Sequence, residues 1–343
     1  MKYPKITVAI PSYNRAEFLR PLLDSILIQD YQNYEILIIE DKSPEREDIG
    51  KIISKYQTKT KKIRYLQNEK NLGYDKNIRK LIDCSSGDYV FFMGNDDIVA
   101  ENALSKVADL IINNNNIGAV IRSYQTFKDD ISNITGTFRY TPQDRILEIS
   151  ENGSVIAYRR SVVISGLVLK RETCLLYATE EIDGLLLYQV YLILQIMKSQ
   201  NAVLTSKILS YYRTDIPPDF GNNEVEKNFT PSEQTAASSL KFIQGLIDIP
   251  RLEIIGLSKQ IQNNIFKDLA NYSYPLLEIQ RKRSFLNFIP YGFKLAKLGF
   301  WKYSIFWLYF VALIILGSSF CNYTIKLIKK LLGYTPQIGF SVK

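Results

Sequence analysis

The chain has 343 residues, of which 46% are hydrophobic and 23% charged, so it is long enough for one large domain and a smaller appendage. It contains no histidine, which excludes a His-based catalytic triad, a His zinc site and an imidazole general base. The 43 Lys and Arg residues against 35 Asp and Glu residues indicate an anionic partner such as phosphates, nucleic acid or a membrane surface.

Short apolar runs alternate with amphipathic segments over the first 125 residues. Strands are predicted at 5–10, 34–41, 63–71, 88–94 and 118–124. Helical spacing between them predicts an α/β domain whose mostly parallel sheet is covered by helices on both faces. Further along, an apolar helix is predicted at 182–197 and a strand at 207–213, followed by a Pro/Asn-rich loop or hinge at 215–229.

Polar motifs follow three of these strands at the point where each strand ends. They are PSYNR (11–15), EDKSP (40–44) and GNDD (94–97). Because ligands of such sheets bind beyond the carboxyl ends of the strands, we expect the three motifs to meet at one rim. The adjacent carboxylates Asp96 and Asp97 can coordinate a hard divalent cation that bridges a diphosphate, or they can cap the following helix. Three motifs at one rim favour a binding site.

The last sixty residues differ in composition from the rest. Residues 281–303 are basic and aromatic, and none from Tyr303 to Ile325 is charged. That stretch is long enough for a membrane span, which needs about 20 residues, although a buried helix hairpin and a helix lying in the bilayer interface are alternatives. We expect membrane contact near residues 300–325, with interfacial embedding favoured over a span.

The chain resembles the family-2 glycosyltransferases of the GT-A fold in four ordered blocks. These are ITVAIPSYNRAEFLRPLLDSI, YEILIIEDKSPE, NEKNLGYDKNI and SGDYVFFMGNDD. The resemblance is strong over residues 3–110 and looser over 111–215. Within that family the chain is most similar to the abequosyltransferase-type enzymes that build O-antigen or capsular repeat units.

This resemblance implies a GT-A catalytic domain at 1–220 and a helical, membrane-associating region at 221–343. The implied activity is inverting, metal-assisted transfer of a hexosyl or deoxyhexosyl group from a nucleotide-diphosphate donor. The implied acceptor is a lipid-linked, polyprenyl diphosphate oligosaccharide at the cytoplasmic face of the bacterial inner membrane. No nucleic-acid partner is expected, because the basic residues concentrate beside apolar, membrane-like segments.

The resemblance also assigns roles to particular residues. The implied nucleotide-sugar contacts are Pro11, Ser12, Tyr13, Arg15, Glu40, Asp41, Asn71, Gly73, Lys76, Asn95, Asp96, Asp97 and Arg213. The metal, Mg²⁺ or Mn²⁺, would be bound by Asp96 and Asp97. Gly94 stands where the family's DxD motif has its first acid, so the sequence departs from the pattern there. Arg213 has an equal alternative as a plain surface arginine.

The catalytic base of inverting relatives is a carboxylate, and residues 179–189 occupy the corresponding region. Asp183 and Glu181 are the candidates, beside Glu180. Acids in a first helical turn are also favoured by the helix dipole alone, and that reading stays open. A different class of function is a non-catalytic nucleotide-sugar-binding or scaffold protein in which Gly94 marks a decayed metal site. A dehydrogenase is disfavoured, because no GxGxxG follows the first strand.

Overall fold

The computed structural model describes residues 3–217, 219–231, 233 and 235–332. These residues divide into two compact units, the first running to Lys227 and the second containing nearly all residues after Glu233. The first unit is α/β and the second is helical. Each is described by itself.

One mixed sheet runs through the described part of the first unit. Its strands are β1 (Ile6–Ser12), β2 (Tyr34–Glu40), β3 (Ile63–Gln67), β4 (Tyr89–Phe92), β5 (Ile98–Val99), β6 (Ile117–Lys128), β7 (Asp130–Phe138), β8 (Arg145–Leu147), β9 (Val168–Lys170) and β10 (Asn201–Arg213). The order is β3-β2-β1-β4-β9-β6-β10-β5, with β7 on β6 and β8 on β10. Neighbours among β1–β4 are parallel, as are β6 and β10, whereas β9 is antiparallel to both of its neighbours.

Helices flank this sheet. They are α1 (Leu19–Leu27), α2 (Arg46–Gln57), α3 (Tyr74–Cys84), α4 (Ala103–Ile112), α5 (Glu151–Arg160), α6 (Arg171–Leu176) and α7 (Tyr188–Ile196). In α1 the residues Leu19, Leu22, Leu23 and Ile26 are fully buried, which is the helical spacing of a core-facing stripe. Every residue of β2 is buried, as expected for a strand covered on both faces. The predicted α/β fold is confirmed.

The predicted helix at 182–197 begins later than expected. Helix α7 starts at Tyr188, because the preceding residues form turns in which Gly184 and Leu186 have φ values of 85° and 61°. The acidic residues before it therefore do not lie in a first helical turn, and the dipole explanation for them was wrong. The strand predicted at 207–213 is longer than expected, since β10 begins at Asn201.

A single buried carboxylate holds the turn before α7. Asp75, in the first turn of α3, is 1% exposed and accepts hydrogen bonds from the backbone N–H groups of Gly184, Leu186, Leu187 and Tyr188 at 2.9–3.0 Å. Burial raises the pKa of Asp75 to about 7, although these hydrogen bonds act in the opposite direction. Asp75 thereby fixes the segment that carries the candidate base against α3.

The second unit consists of helices α8 (Ala236–Asp248), α9 (Lys259–Asn271), α10 (Tyr274–Arg283), α11 (Phe285–Lys297), α12 (Ser304–Ile315) and α13 (Gly317–Leu332). Helix α10 packs against α11, α12 and α13. Helices α11 and α12 approach closely at Gly292, where a Cβ atom would lie 2.1 Å from the Phe310 ring. Phe288 and Phe306 complete an aromatic core around Phe310.

The uncharged stretch from Tyr303 to Ile325 is divided between two helices. Helix α12 ends at Ile315, and α13 begins at Gly317, which has a φ of 71°. Helix α12 has 12 residues, about 18 Å of length, against a hydrocarbon core of about 30 Å. Within the residues that the structure describes, no helix combines the length and apolar character that a bilayer crossing requires. The spanning alternative is therefore not found there, and interfacial contact stays a prediction.

Replacing Asp75 with Asn tests the turn. An amide has one acceptor oxygen, and its NH₂ group would face N–H donors, so Asp75→Asn should lower the free energy of unfolding by at least about 2 kcal/mol in urea titrations. Asp83→Asn, on the exposed face of the same helix, is the matched control and should leave it unchanged. Equal stability of the two variants would contradict the role of Asp75.

Candidate functional site

The three polar motifs meet at the carboxyl ends of β1, β2 and β4. Asn95 Nδ2 donates to the carbonyl oxygens of Tyr13 and Asn14 at 3.3 and 3.0 Å. Asp41 N donates to Ser12 O at 2.9 Å. The rim that the strand order predicted is therefore formed, with PSYNR in the middle and the other two motifs on either side.

Arg15 and Asp96 form an ion pair across this rim. Arg15 Nη1 donates to Asp96 Oδ2, and Arg15 Nη2 donates to Pro217 O at 2.5 Å. Asn14 and Arg15 both have positive φ, 52° and 64°, a conformation that costs energy in non-glycine residues and often occurs at functional sites. Burial raises the pKa of Asp96, and the charge of Arg15 opposes that shift.

Asp97 lies deeper than Asp96. It is 2% exposed, and it accepts hydrogen bonds from Ser165 Oγ and from Arg213 N, the latter at 2.8 Å. Burial raises the pKa of Asp97 well above its usual value, and the neighbouring charge of Asp96 raises it further. Ser165 is itself held by Arg122, a fully buried side chain that donates to Ser165 O at 2.9 Å.

The position of Gly94 explains the departure from the DxD pattern. A Cβ atom there would lie 2.9 Å from Asp97 Oδ2, 3.2 Å from Ser165 Oγ and 3.4 Å from Asp96 Oδ1. No side chain fits beside Asp97 without displacing it. The same contacts mean that three oxygen atoms converge above Gly94.

These three oxygen atoms are the type of ligand that a hard divalent cation prefers. Mg²⁺ typically takes one or two protein carboxylates and completes its shell with water and substrate phosphates. Asp96 and Asp97 provide two carboxylates. A group of three or more acid or Cys side chains suited to a metal is not found in the described ranges, so the remaining ligands would have to come from substrate and solvent.

Arg213 is not a surface arginine. It is 6% exposed and lies between the rings of Phe18 and Phe127, 4.4 and 4.6 Å from their centroids. Its Nε donates to Asp96 O at 3.1 Å. The structure therefore corrects that alternative: Arg213 braces the backbone of the GNDD motif, while its contact with a diphosphate stays a prediction.

The two acids at the end of β2, Glu40 and Asp41, hold neighbouring loops. Glu40 is fully buried and accepts from Ser43 N at 2.5 Å and from Arg46. Its carboxylate therefore holds the loop that follows β2, and its assignment as a nucleotide-sugar contact stays a prediction. Asp41 accepts from Leu72 N and Gly73 N at 2.8 and 2.9 Å. Burial raises the pKa of Asp41, and these hydrogen bonds act against that shift.

Two polar atoms of the PSYNR motif are buried without a hydrogen-bond partner in the described part of the chain. They are Ser12 Oγ and Asn14 Oδ1. Native proteins pair nearly all such atoms, so unpaired ones at a rim are typical of a place that a ligand or water completes. Pro11, half-buried at the end of β1, and Tyr13 lie beside them. Burial raises the pKa of Tyr13.

A segment that the sequence marked only as a loop lies on the predicted nucleotide contacts. Asp219 accepts from Asn14 Nδ2 at 2.7 Å, Asn223 donates to Asn71 Oδ1 at 3.0 Å, and Glu226 accepts from Tyr74 N at 2.5 Å. We call residues 219–226 the covering segment. Nothing in the sequence distinguished these polar residues from others in a Pro/Asn-rich loop.

A cavity of about 770 Å³ opens beside this segment, within the usual range for small-molecule sites. Lys70, Lys76 and Lys227 lie on its wall. The other lining residues are Asn71, Leu72, Gly221, Asn222, Asn223 and Glu224. The three lysines give this cavity an excess of positive charge.

The candidate bases differ in their surroundings. Asp183 accepts from Arg79 Nη1 and Nη2 at 2.8 and 3.2 Å, and Lys76 Nζ lies 3.6 Å from it. Glu181 is exposed. Arg79, which sequence reasoning missed, thus orients Asp183 from α3.

Comparison with known proteins gives a family match. Residues 7–165 match the model described as glycosyl transferase family 2. The uncharacterized glycosyltransferase MJ1057 of Methanocaldococcus jannaschii is 30% identical over 140 residues, 40% of this chain and 48% of that protein. The amylovoran biosynthesis glycosyltransferase AmsB of Erwinia amylovora is 31% identical over 111 residues, 32% of this chain and 37% of that protein. The chain spans less than half the length of these curated relatives.

Solved structures share the fold at low identity. TarS 1–349 of S. aureus in complex with UDP-GlcNAc has a TM-score of 0.58 at 16% identity, covering 79% of this chain and 73% of that one. The mannosyltransferase PcManGT of Pyrobaculum calidifontis, in complex with GDP-Man and Mn²⁺, has a TM-score of 0.53 at 15% identity, covering 92% and 87%.

The crowding at Gly94 gives a test of the site's packing. Gly94→Ala should lower the free energy of unfolding by about 1–3 kcal/mol, because the added methyl group displaces Asp97 or Ser165. Gly50→Ala is the control: in α2 the nearest atoms to a Cβ at that position lie 4.0 Å away, so stability should rise by about 0.5–1 kcal/mol. Urea unfolding of both variants measures the difference, and a neutral Gly94→Ala would refute the crowding.

Proposed function

We infer, since residues 7–165 form a glycosyl transferase family 2 domain and the first unit has the GT-A fold, that this chain is a glycosyltransferase acting on a nucleotide-diphosphate sugar. The resemblance read from the four sequence blocks is confirmed at the level of family and fold. The donor, the acceptor and the stereochemistry of the reaction are proposals.

The observation that carries the proposal is the rim itself. Arg15, Asp96 and Asn95 lie together at the carboxyl ends of β1 and β4, where ligands of parallel sheets bind. Next to them are Ser12 Oγ and Asn14 Oδ1, which are buried and have no hydrogen-bond partner among the residues that the structure describes. In a nucleotide-diphosphate sugar, phosphate and carbonyl oxygens can accept from Ser12 Oγ, and hydroxyl or base N–H groups can donate to Asn14 Oδ1.

Asp96 and Asp97 would hold a divalent cation, Mg²⁺ or Mn²⁺, with Ser165 Oγ beside them. When bound, such an ion neutralises charge on a departing diphosphate. Arg15 supplies fixed positive charge beside Asp96, and Lys70, Lys76 and Lys227 supply it on the wall of the cavity. The solved mannosyltransferase with GDP-Man and Mn²⁺ supports this assignment by fold.

Asp183 is the proposed base. Its carboxylate would take the proton of an acceptor hydroxyl while that oxygen bonds to the anomeric carbon of the donor sugar. The bond from that carbon to the diphosphate oxygen breaks, and its electron pair leaves with the nucleoside diphosphate. Attack from the opposite face inverts the configuration. Arg79 and Lys76 hold the Asp183 carboxylate in place, and we place it ahead of the exposed Glu181.

The proposed acceptor is a lipid-linked, polyprenyl diphosphate oligosaccharide in assembly of a bacterial surface polysaccharide of O-antigen or capsule type. The amylovoran biosynthesis relative supports a polysaccharide product. The basic, aromatic sequence of residues 281–303 supports work at the cytoplasmic face of the inner membrane.

A non-catalytic nucleotide-sugar-binding protein is the second candidate. The observation that favours it is the engagement of both Asp97 oxygens by Ser165 and Arg213 within the protein. Such a protein would bind a nucleotide sugar and never break the bond to the diphosphate. Turnover therefore separates the two candidates.

Donor hydrolysis across a panel of nucleotide sugars, with and without Mg²⁺ or Mn²⁺, tests the transferase. We expect one nucleotide class to be hydrolysed in a metal-dependent way, and Asp96→Asn to lower that rate by about 100-fold or more, because charge on the leaving group loses its counterion. Asp109 is exposed on α4, so the control variant Asp109→Asn should hydrolyse the donor at the rate of the unchanged protein. Binding of a nucleotide sugar without turnover, with acceptor supplied, would establish the second candidate instead.

The base assignment has a separate test. Asp183→Asn should lower kcat for transfer by about 10²–10⁴-fold while nucleotide affinity stays constant, because proton removal is lost and donor contacts remain. Glu181→Gln, next to it and exposed, serves as the control and should change kcat little. A large loss of kcat in Glu181→Gln with little loss in Asp183→Asn would assign the base to Glu181. Separately, an NMR analysis that shows retained anomeric configuration in the product would rule out a single displacement.

A further inference from the structure

Helix α12 carries apolar side chains on two sides. Phe306, Phe310 and Leu313 are buried in the second unit. Leu308, Val311 and Ile315 are exposed, at a spacing of three and four residues that places them on one face. A helix that is apolar all round is normally buried or in contact with lipid, and none of the described residues of the unit covers this face.

The neighbouring helix continues the same character. On α13 the residues Phe320, Tyr323 and Leu327 are exposed, again three and four residues apart. Helices α12 and α13 pack against each other. We call these six side chains the C-terminal apolar surface. Single exposed apolar residues are ordinary, but contiguous ones on adjoining helices mark an interaction site.

Charge identifies the partner. After Glu278 the sequence contains ten Lys or Arg residues and no Asp or Glu, although the whole chain has an excess of only eight basic residues. Lys294, Lys297 and Lys302, next to the C-terminal apolar surface in sequence, are exposed. A second copy of this surface would bring like charges together, whereas anionic phospholipid headgroups are complementary to it.

Length and aromatic content indicate how the surface meets a bilayer. Helix α12 is too short to cross the hydrocarbon core, as its 12 residues span about 18 Å. Trp301 and Tyr323 are both exposed, and these residue types concentrate at the level of lipid headgroups. A short helix with this composition lies along the interface with its apolar side chains among the acyl chains.

We propose that the C-terminal apolar surface, with Lys294, Lys297 and Lys302, docks the protein on an anionic phospholipid surface, with α12 and α13 lying in the plane of the bilayer interface. Its purpose rests on the proposed function, since a lipid-linked acceptor is reached at that interface. The docking itself depends on the second unit's own side chains.

Flotation of the full chain with vesicles is the test. The protein should float with phosphatidylcholine vesicles that contain phosphatidylglycerol, far less with phosphatidylcholine alone, and less as salt rises. In Trp307→Phe, Trp301 is the remaining tryptophan of the two in the chain. Its fluorescence should shift to the blue on anionic vesicles and be quenched by brominated acyl chains.

Matched variants distinguish docking through this surface from non-specific adsorption of exposed apolar side chains. Leu308→Ser with Ile315→Ser should weaken vesicle binding by about tenfold or more, because two apolar side chains leave the acyl region. The control pair, Ile28→Ser with Leu176→Ser, changes side chains of the first unit that are 76% and 75% exposed, and it should bind as the unchanged protein. The triple variant Lys294→Gln, Lys297→Gln and Lys302→Gln should weaken binding to vesicles that contain phosphatidylglycerol. Its weak binding to pure phosphatidylcholine vesicles should not change.

Two outcomes would overturn the proposal. One is equal vesicle binding by the serine pair in α12 and its control pair, with both variants folded by thermal unfolding. The other is a dimer, seen by light scattering, that the α12 pair abolishes, which would make a second copy the occupant. Donor hydrolysis in the same samples needs no vesicles. Failure of the unchanged protein to bind anionic vesicles while it still hydrolyses donor would therefore refute the docking alone, and vesicle binding without hydrolysis would refute the transferase alone.

Discussion

The carboxylate of Asp97 lies inside the protein, where an unpaired charge would cost several kcal/mol, and the rest of the rim is arranged to hold it. Ser165 and the backbone of Arg213 donate to it. Arg122 in turn fixes Ser165, and Phe18 and Phe127 enclose Arg213. Strands β4, β6 and β10 are thereby connected through one carboxyl group. Asp96 lies beside it and pairs with Arg15.

This constraint accounts for the departure at Gly94. The DxD pattern has an acid at position 94, yet the Asp97 carboxylate lies so close to Gly94 that a Cβ atom has no room there. The carboxylates therefore lie at 96 and 97 with the Ser165 hydroxyl alongside. Fewer charged ligands usually mean weaker cation binding. The diphosphate of a donor would therefore provide more of the cation's ligands here than in a site with three acids. Arg15 would neutralise more of the charge on that diphosphate.

Much of the fold could be predicted from the sequence, because buried parallel strands are continuous runs of β-branched and other apolar residues. The polar motifs follow directly after these runs. PSYNR and GNDD were expected at one rim and lie there. The burial of Glu40 and Arg213 could not be predicted, since their partners, Arg46, Phe18 and Phe127, are ordinary residues until the chain folds. The same holds for Asp75, whose four donors are backbone groups from a turn about 110 residues away and leave no trace in residue type.

The covering segment has a thermodynamic consequence. Asp219 and Asn223 use the side chains of Asn14 and Asn71, and Glu226 uses the N–H of Tyr74. A ligand that binds those same groups has to replace the chain's own hydrogen bonds, so its measured affinity equals its intrinsic affinity reduced by the fraction of molecules in which the segment is open. Substitutions of Asp219 or Glu226 would then change affinity by changing how often the segment is open.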